Sequence, residues 1–422
     1  MVDPEPTAHG DGESRGSSAI TRLRRGSAIV FAGSVLGYGI SYLVTPLLGR
    51  LVTPETFGVF SAVLALASLF TGFSTLRLEV FAASIASSAH QRNARLLALI
   101  VAVMISLIIL VACAAAWLIA DVSPLWLLAA PMVFMGSVQL IATARYSVAR
   151  AYTTMGVGNF VQGGGTGVAQ LALAAMSPTA ISLVLGFLLA RVHWLLALRG
   201  HRANRMPLLG TWRRARSFAR SAGVSALLNS TGGQAPVLLM TVMFGTAGAG
   251  VFAMAVRLLV GPLAIVAQAV GSTSMGEIGR LASRRDAQLL PTVDSLLRQL
   301  ALMMAVPCLL AAVFAPSLVT LALGPGWEQT GLVIQVLTLG AFAQAVGSPL
   351  TQILNLTHHS KVLMKWDAAR LIAIAATFIA VPLAGGGIVL VSLLYSVTML
   401  VLYIAAVILV RSACRRVSLS TS

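Results

Sequence analysis

Arg257 stands in the middle of a long uncharged stretch, with no other charged residue between Arg220 and Glu277. Its guanidinium presents a planar fork of N–H donors that matches the oxygens of a phosphate or carboxylate. Burying it among apolar residues near the centre of a bilayer costs about 2.5–3.5 kcal/mol on insertion scales. Two readings follow: the side chain snorkels to the headgroups, or it sits in a wet cavity and receives an anionic group.

The neighbours at helical spacing bear on that choice. Residues three, four, seven and eleven apart share one face of a helix. Arg257, Gly261, Ala264, Gln268 and Gly271 form such a stripe, with Leu259, Val266 and Val270 opposite. Similar stripes are Asn159–Gly163–Thr166–Gln170, Ser225–Asn229–Gly233–Pro236 and Ser61–Ala65–Ser68–Gly72–Thr75–Glu79. Small, polar faces either pack helices closely or line a water-filled cavity. Their spread over both halves of the chain points to a shared cavity, with Arg257, Gln268, Asn229, Asn159, Gln170 and Arg50 as the groups that would contact a substrate. Glu79 extends its stripe to one mouth of that cavity, as a proton site or gate partner. Arg77 falls on the opposite face, with Phe70 and Phe73, where it is expected to snorkel or to act with Glu79 in coupling or gating. Pro46, Pro236, Pro262 and Pro307 interrupt apolar runs, and Pro236 and Pro262 suit helices that bend during gating.

These residues need helices long enough to hold them in a membrane. Of the 422 residues, 58% are hydrophobic and 10% charged, whereas a soluble domain carries about 25% charge. A water-soluble enzyme is thereby excluded. About 20 apolar residues span the hydrocarbon core. Runs of that kind fall at 27–49, 57–78, 96–119, 124–144, 156–176, 179–198, 218–244, 248–275, 299–323, 331–354, 369–383 and 386–410. The fold expected is an all-α polytopic membrane protein of about twelve helices, in two six-helix lobes facing a central cavity. Residues 1–26 read as a disordered cytoplasmic tail, 27–198 and 218–410 as the lobes, 199–217 as a basic linker and 411–422 as a second tail. The openings of the second and eighth spans, Phe57-Gly58-Val59-Phe60 and Ala249-Gly250-Val251-Phe252, echo each other across the two halves.

The net charge of +17 is a matter of placement. With the N-terminus cytoplasmic, every Lys and Arg except Arg50, Arg77 and Arg257 falls in or beside a cytoplasmic segment, as the positive-inside rule requires. Both termini are then cytoplasmic, the basic balance matches anionic lipid headgroups, and nucleic acid is not an expected partner. Outward loops are short and carry only Arg50, Glu55, Asp121 and Glu328, too little for a membrane glycosyltransferase or polymerase. Thr53-Pro54-Glu55 reads as a helix start: N-cap, first-turn proline, and acid on the dipole. No GxxxxGK[ST] or HExxH motif and no paired Cys/His set occurs, so no cofactor or metal is expected. His358-His359 reads as solvated surface, and Gly163-Gly164-Gly165 as a site of close helix packing.

Gly49 through Phe60, then Thr75-Leu76-Arg77-Leu78-Glu79, Pro236–Gly271 and Leu323–Gly331 resemble bacterial polysaccharide (O-antigen type) flippases of the multidrug/oligosaccharidyl-lipid/polysaccharide exporter superfamily. The resemblance covers roughly residues 27–410. It implies two six-helix lobes in a V, residence in the bacterial cytoplasmic membrane, and movement of a polyprenyl-diphosphate-linked oligosaccharide to the outer leaflet. It also implies glycosyltransferases and a polymerase as pathway partners. Arg257 resembles a span-eight arginine that binds the headgroup in related lipid II flippases. Acidic residues that ion-coupled relatives carry in the first and seventh spans are missing here. The alternative within the superfamily, a cation-coupled multidrug exporter, would have Glu79 alone as its acidic cavity residue.

Overall fold

A computed structural model describes residues 11–85, 87–120, 123–199, 208–357 and 359–419. The expectations for residues 1–10 and 420–422 of the tails, for Asp121, for residues 200–207 of the linker and for His358 lie outside these residues. Helix α1 (Asp11–Leu51) begins ahead of the expected residue 27 and is followed by α2 (Pro54–Thr71) and a short α3 (Leu78–Ser84). Then come α4 (Ser88–Ala120), α5 (Ala129–Val148), α6 (Tyr152–Met176) and α7 (Ala180–Leu189). The second half holds α8 (Leu208–Arg284), α9 (Leu289–Leu323), α10 (Glu328–Thr351), α11 (Ile353–Leu356), α12 (Ser360–Leu383) and α13 (Ile388–Leu419). No strand occurs among the described residues.

Helix α8 turns back on itself at Gly245 (φ 72°, ψ −175°). Only glycine adopts that combination without strain, and it splits α8 into a first arm, 208–244, and a second arm, 246–284. Among the described residues ten stretches are long and apolar enough to cross a membrane. One of them, Leu208–Ser272, contains both arms of α8. Helix α6 is not among them, because its glycines and the amides Asn159, Gln162 and Gln170 dilute its hydropathy. With the arms taken separately and α6 added, the stretches account for the twelve crossings read from the sequence.

Lipid gives helices no hydrophobic reason to associate, so small residues that let backbones touch carry the packing. In the first lobe, α1 lies on α6 this way. A Cβ on Gly33 would sit 2.1 Å from the Gly156 carbonyl oxygen, and one on Gly163 would sit 2.7 Å from the Gly37 backbone. The triple glycine is therefore a helix-packing element. In the second lobe α10 is the central helix, packed on α8, α9 and α13. The Gly340 N–H donates to Ser396 Oγ at 2.7 Å, and Phe252, Phe378 and Tyr395 form an edge-to-face cluster beside it.

The α1–α6 contact sets a stability expectation. Gly33→Val should lower the apparent melting temperature of the detergent-purified protein by several degrees, since overpacking costs about 1–3 kcal/mol. Gly39→Ala on the same helix, where a Cβ meets nothing within 4 Å, should leave it unchanged or slightly raised. Thermal unfolding monitored by tryptophan fluorescence compares the two.

Candidate functional site

The halves meet where the second and eighth crossings start. A Cβ on Gly58 would lie 1.7 Å from the Thr246 carbonyl oxygen and 2.8 Å from the Gly250 nitrogen. A Cβ on Gly250 would lie 1.8 Å from the Pro54 carbonyl oxygen and 3.0 Å from the Gly58 nitrogen. The two sets of contacts mirror each other, so the sequence echo is an internal pseudo-two-fold packed on itself. Thr53 caps α2 as expected, its Oγ1 accepting from the Thr56 N–H at 3.2 Å. Arg50 completes the junction: Nε and Nη2 donate to the Ala322 and Leu321 carbonyls at 3.0 and 2.8 Å. These are the free carbonyls at the C-terminal end of α9, where a cation also meets the negative end of the helix dipole. Beside it, Trp327 Nε1 donates to the Gly49 carbonyl at 2.8 Å. Arg50 thus spends donors on closing this end, which corrects its assignment to substrate contact.

Arg257, one-third of the way along the second arm, reaches across the seam between the lobes. Its Nη2 donates to Ser41 Oγ of α1 at 3.2 Å, and its guanidinium carbon lies 5.8 Å from the centre of the Phe57 ring of α2. Tyr42 of α1 covers Gly261 one turn further on, its hydroxyl 2.1 Å from where a Cβ would be. No carboxylate lies within 4.0 Å of Arg257 among the described residues. Further along the same arm opens a cavity of about 380 Å³, walled by Val260, Ala264, Gln268, Gly271 and Ser272 and by Gln344 and Ser348 of α10. Gln268 is exposed into this space, so the far part of the eighth-span stripe, Ala264, Gln268 and Gly271, is a cavity wall, while Arg257 and Gly261 face α1.

A second cavity, about 420 Å³, lies between α2, α5, α7 and the first arm of α8, and its walls include Arg77, Arg191, Gln139, Asn229 and Ser230. The structure corrects the reading of Arg77 here. Helix α2 ends at Thr71, and Leu76 and Arg77 take left-handed backbone angles (φ 48° and 59°). A stripe continued at 100° per residue therefore fails beyond Gly72. Arg77 turns to the polar side and lines the cavity, while Glu79, expected at the cavity mouth, is 2% exposed within α3. Its nearest charged partner is Arg77, at 3.8 Å.

The positive-inside count places Arg191 with the cytoplasmic arginines, although the run 179–198 encloses it. It sits instead twelve residues past the Thr179 N-cap of α7, inside the stretch Ala180–Leu198. At 1.5 Å per residue that is about 18 Å into the membrane, a distance readable from the sequence. Arg370 is a second such case, within Ser360–Leu383. It pairs with Asp367 at 3.1 Å, contacts the Tyr403 hydroxyl at 3.3 Å, and lines a cavity of about 170 Å³ with Pro236 and Tyr395.

Two further assignments are corrected. Asn159 donates to Ser34 Oγ of α1 at 2.9 Å. Gln170 is fully buried and donates to the Leu183 carbonyl of α7 at 3.0 Å. Both hold helices of the first lobe together, so the α6 stripe is packing. Pro236 and Pro262 lie within regular helix, and Gly245 is the one non-helical residue of α8. His359 Nδ1 faces the Thr357 carbonyl at 2.7 Å.

The arrangement, two helical lobes with one cavity between them and another inside the second lobe, is that of a multi-pass membrane protein. Comparison with curated protein sequences finds no match. Among solved structures the chain is similar to the lipid II flippase MurJ in its inward closed conformation, with TM-score 0.69 and 12% identity, covering 93% of this chain and 90% of that one. It is similar to an inward-facing multidrug resistance MATE family transporter of the MOP superfamily, with TM-score 0.66 and 13% identity, covering 92% and 100%. A MOP superfamily transporter from Pyrococcus furiosus matches with TM-score 0.59 and 14% identity, covering 93% and 96%. These likenesses show that the chain has the two-lobed helical fold of those structures. A family model described as polysaccharide biosynthesis protein matches residues 47–332, and the chain belongs to that family.

The junction at Gly58 and Gly250 yields an expectation. Gly250→Ala places a methyl against the Pro54 carbonyl and should force α2 and α8 apart. In a background lacking the native cysteines, Val52→Cys, 4% exposed at this junction, should then react several-fold faster with a membrane-impermeant maleimide. Equal labelling rates with and without Gly250→Ala would show that the junction does not close this end.

Proposed function

We propose that the protein flips a polyprenyl-diphosphate-linked oligosaccharide from the cytoplasmic to the outer leaflet of the bacterial cytoplasmic membrane, by alternating access, for surface polysaccharide biosynthesis. The observation that carries this reading is Arg257: a membrane-embedded guanidinium between the lobes, without a carboxylate partner, below a closed junction and above a polar cavity. A diphosphate supplies the missing counter-charge and fits the guanidinium fork. Gln268 and Asn229, on the two cavity walls, offer amides to sugar hydroxyls, while the polyprenyl chain stays in lipid. By the positive-inside reading the Arg50 end faces outward, so the described state is closed outside. Opening it requires parting the Gly58–Gly250 crossing and withdrawing Arg50 from α9.

An inside-negative potential favours outward movement of an anion by about 2.3 kcal/mol per charge per 100 mV. That drive needs no acidic coupling residue, in keeping with the burial of Glu79. The same burial counts against a cation-coupled multidrug exporter, which would need that carboxylate in the cavity. Enzymes that assemble and polymerise the glycan are the pathway partners this reading implies.

The test is complementation of a flippase-deficient strain of the same pathway. Arg257→Ala and Arg257→Gln should reduce surface polysaccharide at least tenfold at equal protein levels. Arg257→Lys should rescue in part, because it keeps the charge and loses the fork. Wild-type export from both neutral variants would remove Arg257 from substrate binding.

A further inference from the structure

We infer that the cavity between α2, α5, α7 and the first arm of α8 is a second subsite, which receives a carboxylate-bearing sugar of the transported glycan. The inference rests on the flippase reading and adds a substrate class to it: the glycan is acidic.

Charge balance within the cavity carries the argument. Arg191 is 9% exposed. Its Nη1 donates to the Phe187 carbonyl at 3.0 Å and to Thr166 Oγ1 at 3.3 Å. Its guanidinium carbon lies 3.4 Å from the centre of the Phe187 ring. All of these partners are neutral, and no carboxylate comes within 4.0 Å among the described residues. Arg77, the other cation on the wall, already has Glu79 at 3.8 Å. The cavity therefore lacks one negative charge. A buried ion without a counter-ion is costly, and here the side chain borders about 420 Å³ of open space. At about 30 Å³ per water, that is room for on the order of a dozen waters, or for a sugar ring with its charged substituent.

The other wall groups select the rest of the ligand. Ser68, Gln139, Asn229 and Ser230 present hydroxyls and amides, which serve sugar hydroxyls as donors and acceptors alike. A sugar carboxylate brings one charge and two oxygens for the fork. A diphosphate would bring more charge than the wall lacks, and Arg257 already offers it a place between the lobes. Because Asn229 and Ser230 come from the second lobe, a sugar held here touches both lobes at once.

The test is thermal unfolding of the full-length purified protein with glucuronate, glucose or inorganic pyrophosphate, each up to 100 mM. Ligands that bind only the folded state raise the midpoint. Glucuronate should raise it by a few degrees, and glucose by less than half as much. Arg191→Gln should abolish the glucuronate response and Arg191→Lys should retain part of it. Arg257→Gln should leave it intact while losing the pyrophosphate response. Asn229→Leu, which fills the cavity and leaves Arg191 in place, should abolish it without lowering the unliganded midpoint. Equal shifts from glucose and glucuronate, no shift from glucuronate, or a full glucuronate response in Arg191→Gln would each overturn the subsite. So would a pyrophosphate response that depends on Arg191 and not on Arg257. Failed complementation by the wild-type protein with the glucuronate response intact would sink the transport reading alone. Loss of charge selectivity with complementation intact would sink this one alone.

Discussion

Two glycines set the distance between the halves of this protein. Gly58 and Gly250 bring the backbones of α2 and α8 into direct contact, each facing the carbonyl four residues before the other. In a membrane that contact is the strongest form of packing available to uncharged helices, since it maximises dispersion where apolar burial gives nothing. With the helices pinned there, the rest of the seam follows. Phe57 lies one residue before the crossing and Arg257 seven residues after it, on the facing helix, so the guanidinium meets the ring. Moving the helices apart by a methyl group would carry Arg257 away from Ser41 and Phe57 together.

The embedded charges are positive in excess. Within the membrane-crossing stretches the described residues include Arg191, Arg257 and Arg370, with Arg77 just past α2. The carboxylates within 4.0 Å of any of these are Glu79, beside Arg77, and Asp367, beside Arg370. Of these four, Arg191 and Arg257, one on each lobe, have no carboxylate within 4.0 Å. Each such group costs a few kcal/mol to insert. A chain that only had to fold would do better with methionine or leucine at either place. Retaining both, Arg191 on a cavity wall and Arg257 between the lobes, is in keeping with the anionic substrate proposed above.

Much of the architecture was legible because it rests on periodicities that lipid enforces: apolar runs of spanning length, short turns, and arginines gathered on one side. The Gly58–Gly250 echo was legible too, although its meaning as a self-crossing needed three dimensions. What was not legible came from places where the helix stops being ideal. The stripe from Ser61 to Glu79 assumes an unbroken rotation, and two left-handed residues, Leu76 and Arg77, reset it. Arg77 and Glu79 therefore exchanged roles, one to the cavity and the other to the core. Asn159 and Gln170 fell on a stripe that was real, yet a small polar face looks the same in sequence whether a helix or water lies against it. Only the hydrogen bonds to Ser34 and Leu183 separate the cases. Arg191 lies where α7 gives way to a tighter 3₁₀ segment, Val192–Leu198. The apolar run 179–198 encloses it, and only the positive-inside count groups it with the cytoplasmic arginines that follow.

The two glycine contacts differ in what surrounds them: one lies inside the first lobe and the other between the lobes. Along α1 and α6 the touching positions repeat from Gly33 to Gly167 over several turns and are reinforced by Asn159 to Ser34. Both helices belong to one lobe, and separating them would break many contacts at once. The α2–α8 contact joins the two lobes and approaches closely at two separated places: Gly58 against Gly250, and Gly72 at the other end of α2, where a Cβ would lie 1.7 Å from Ser230 Oγ. Its polar support comes from the neighbouring α1–α9 junction, through Arg50 and the Trp327 indole. Arg50 is exposed, and its donors can exchange the α9 carbonyls for water at a net cost of about 1 kcal/mol per hydrogen bond. Under the alternating access proposed above, the lobes part at the Gly58–Gly250 turn, where the neighbouring tether is an exposed arginine, while the repeated contacts of α1 and α6 keep the first lobe whole.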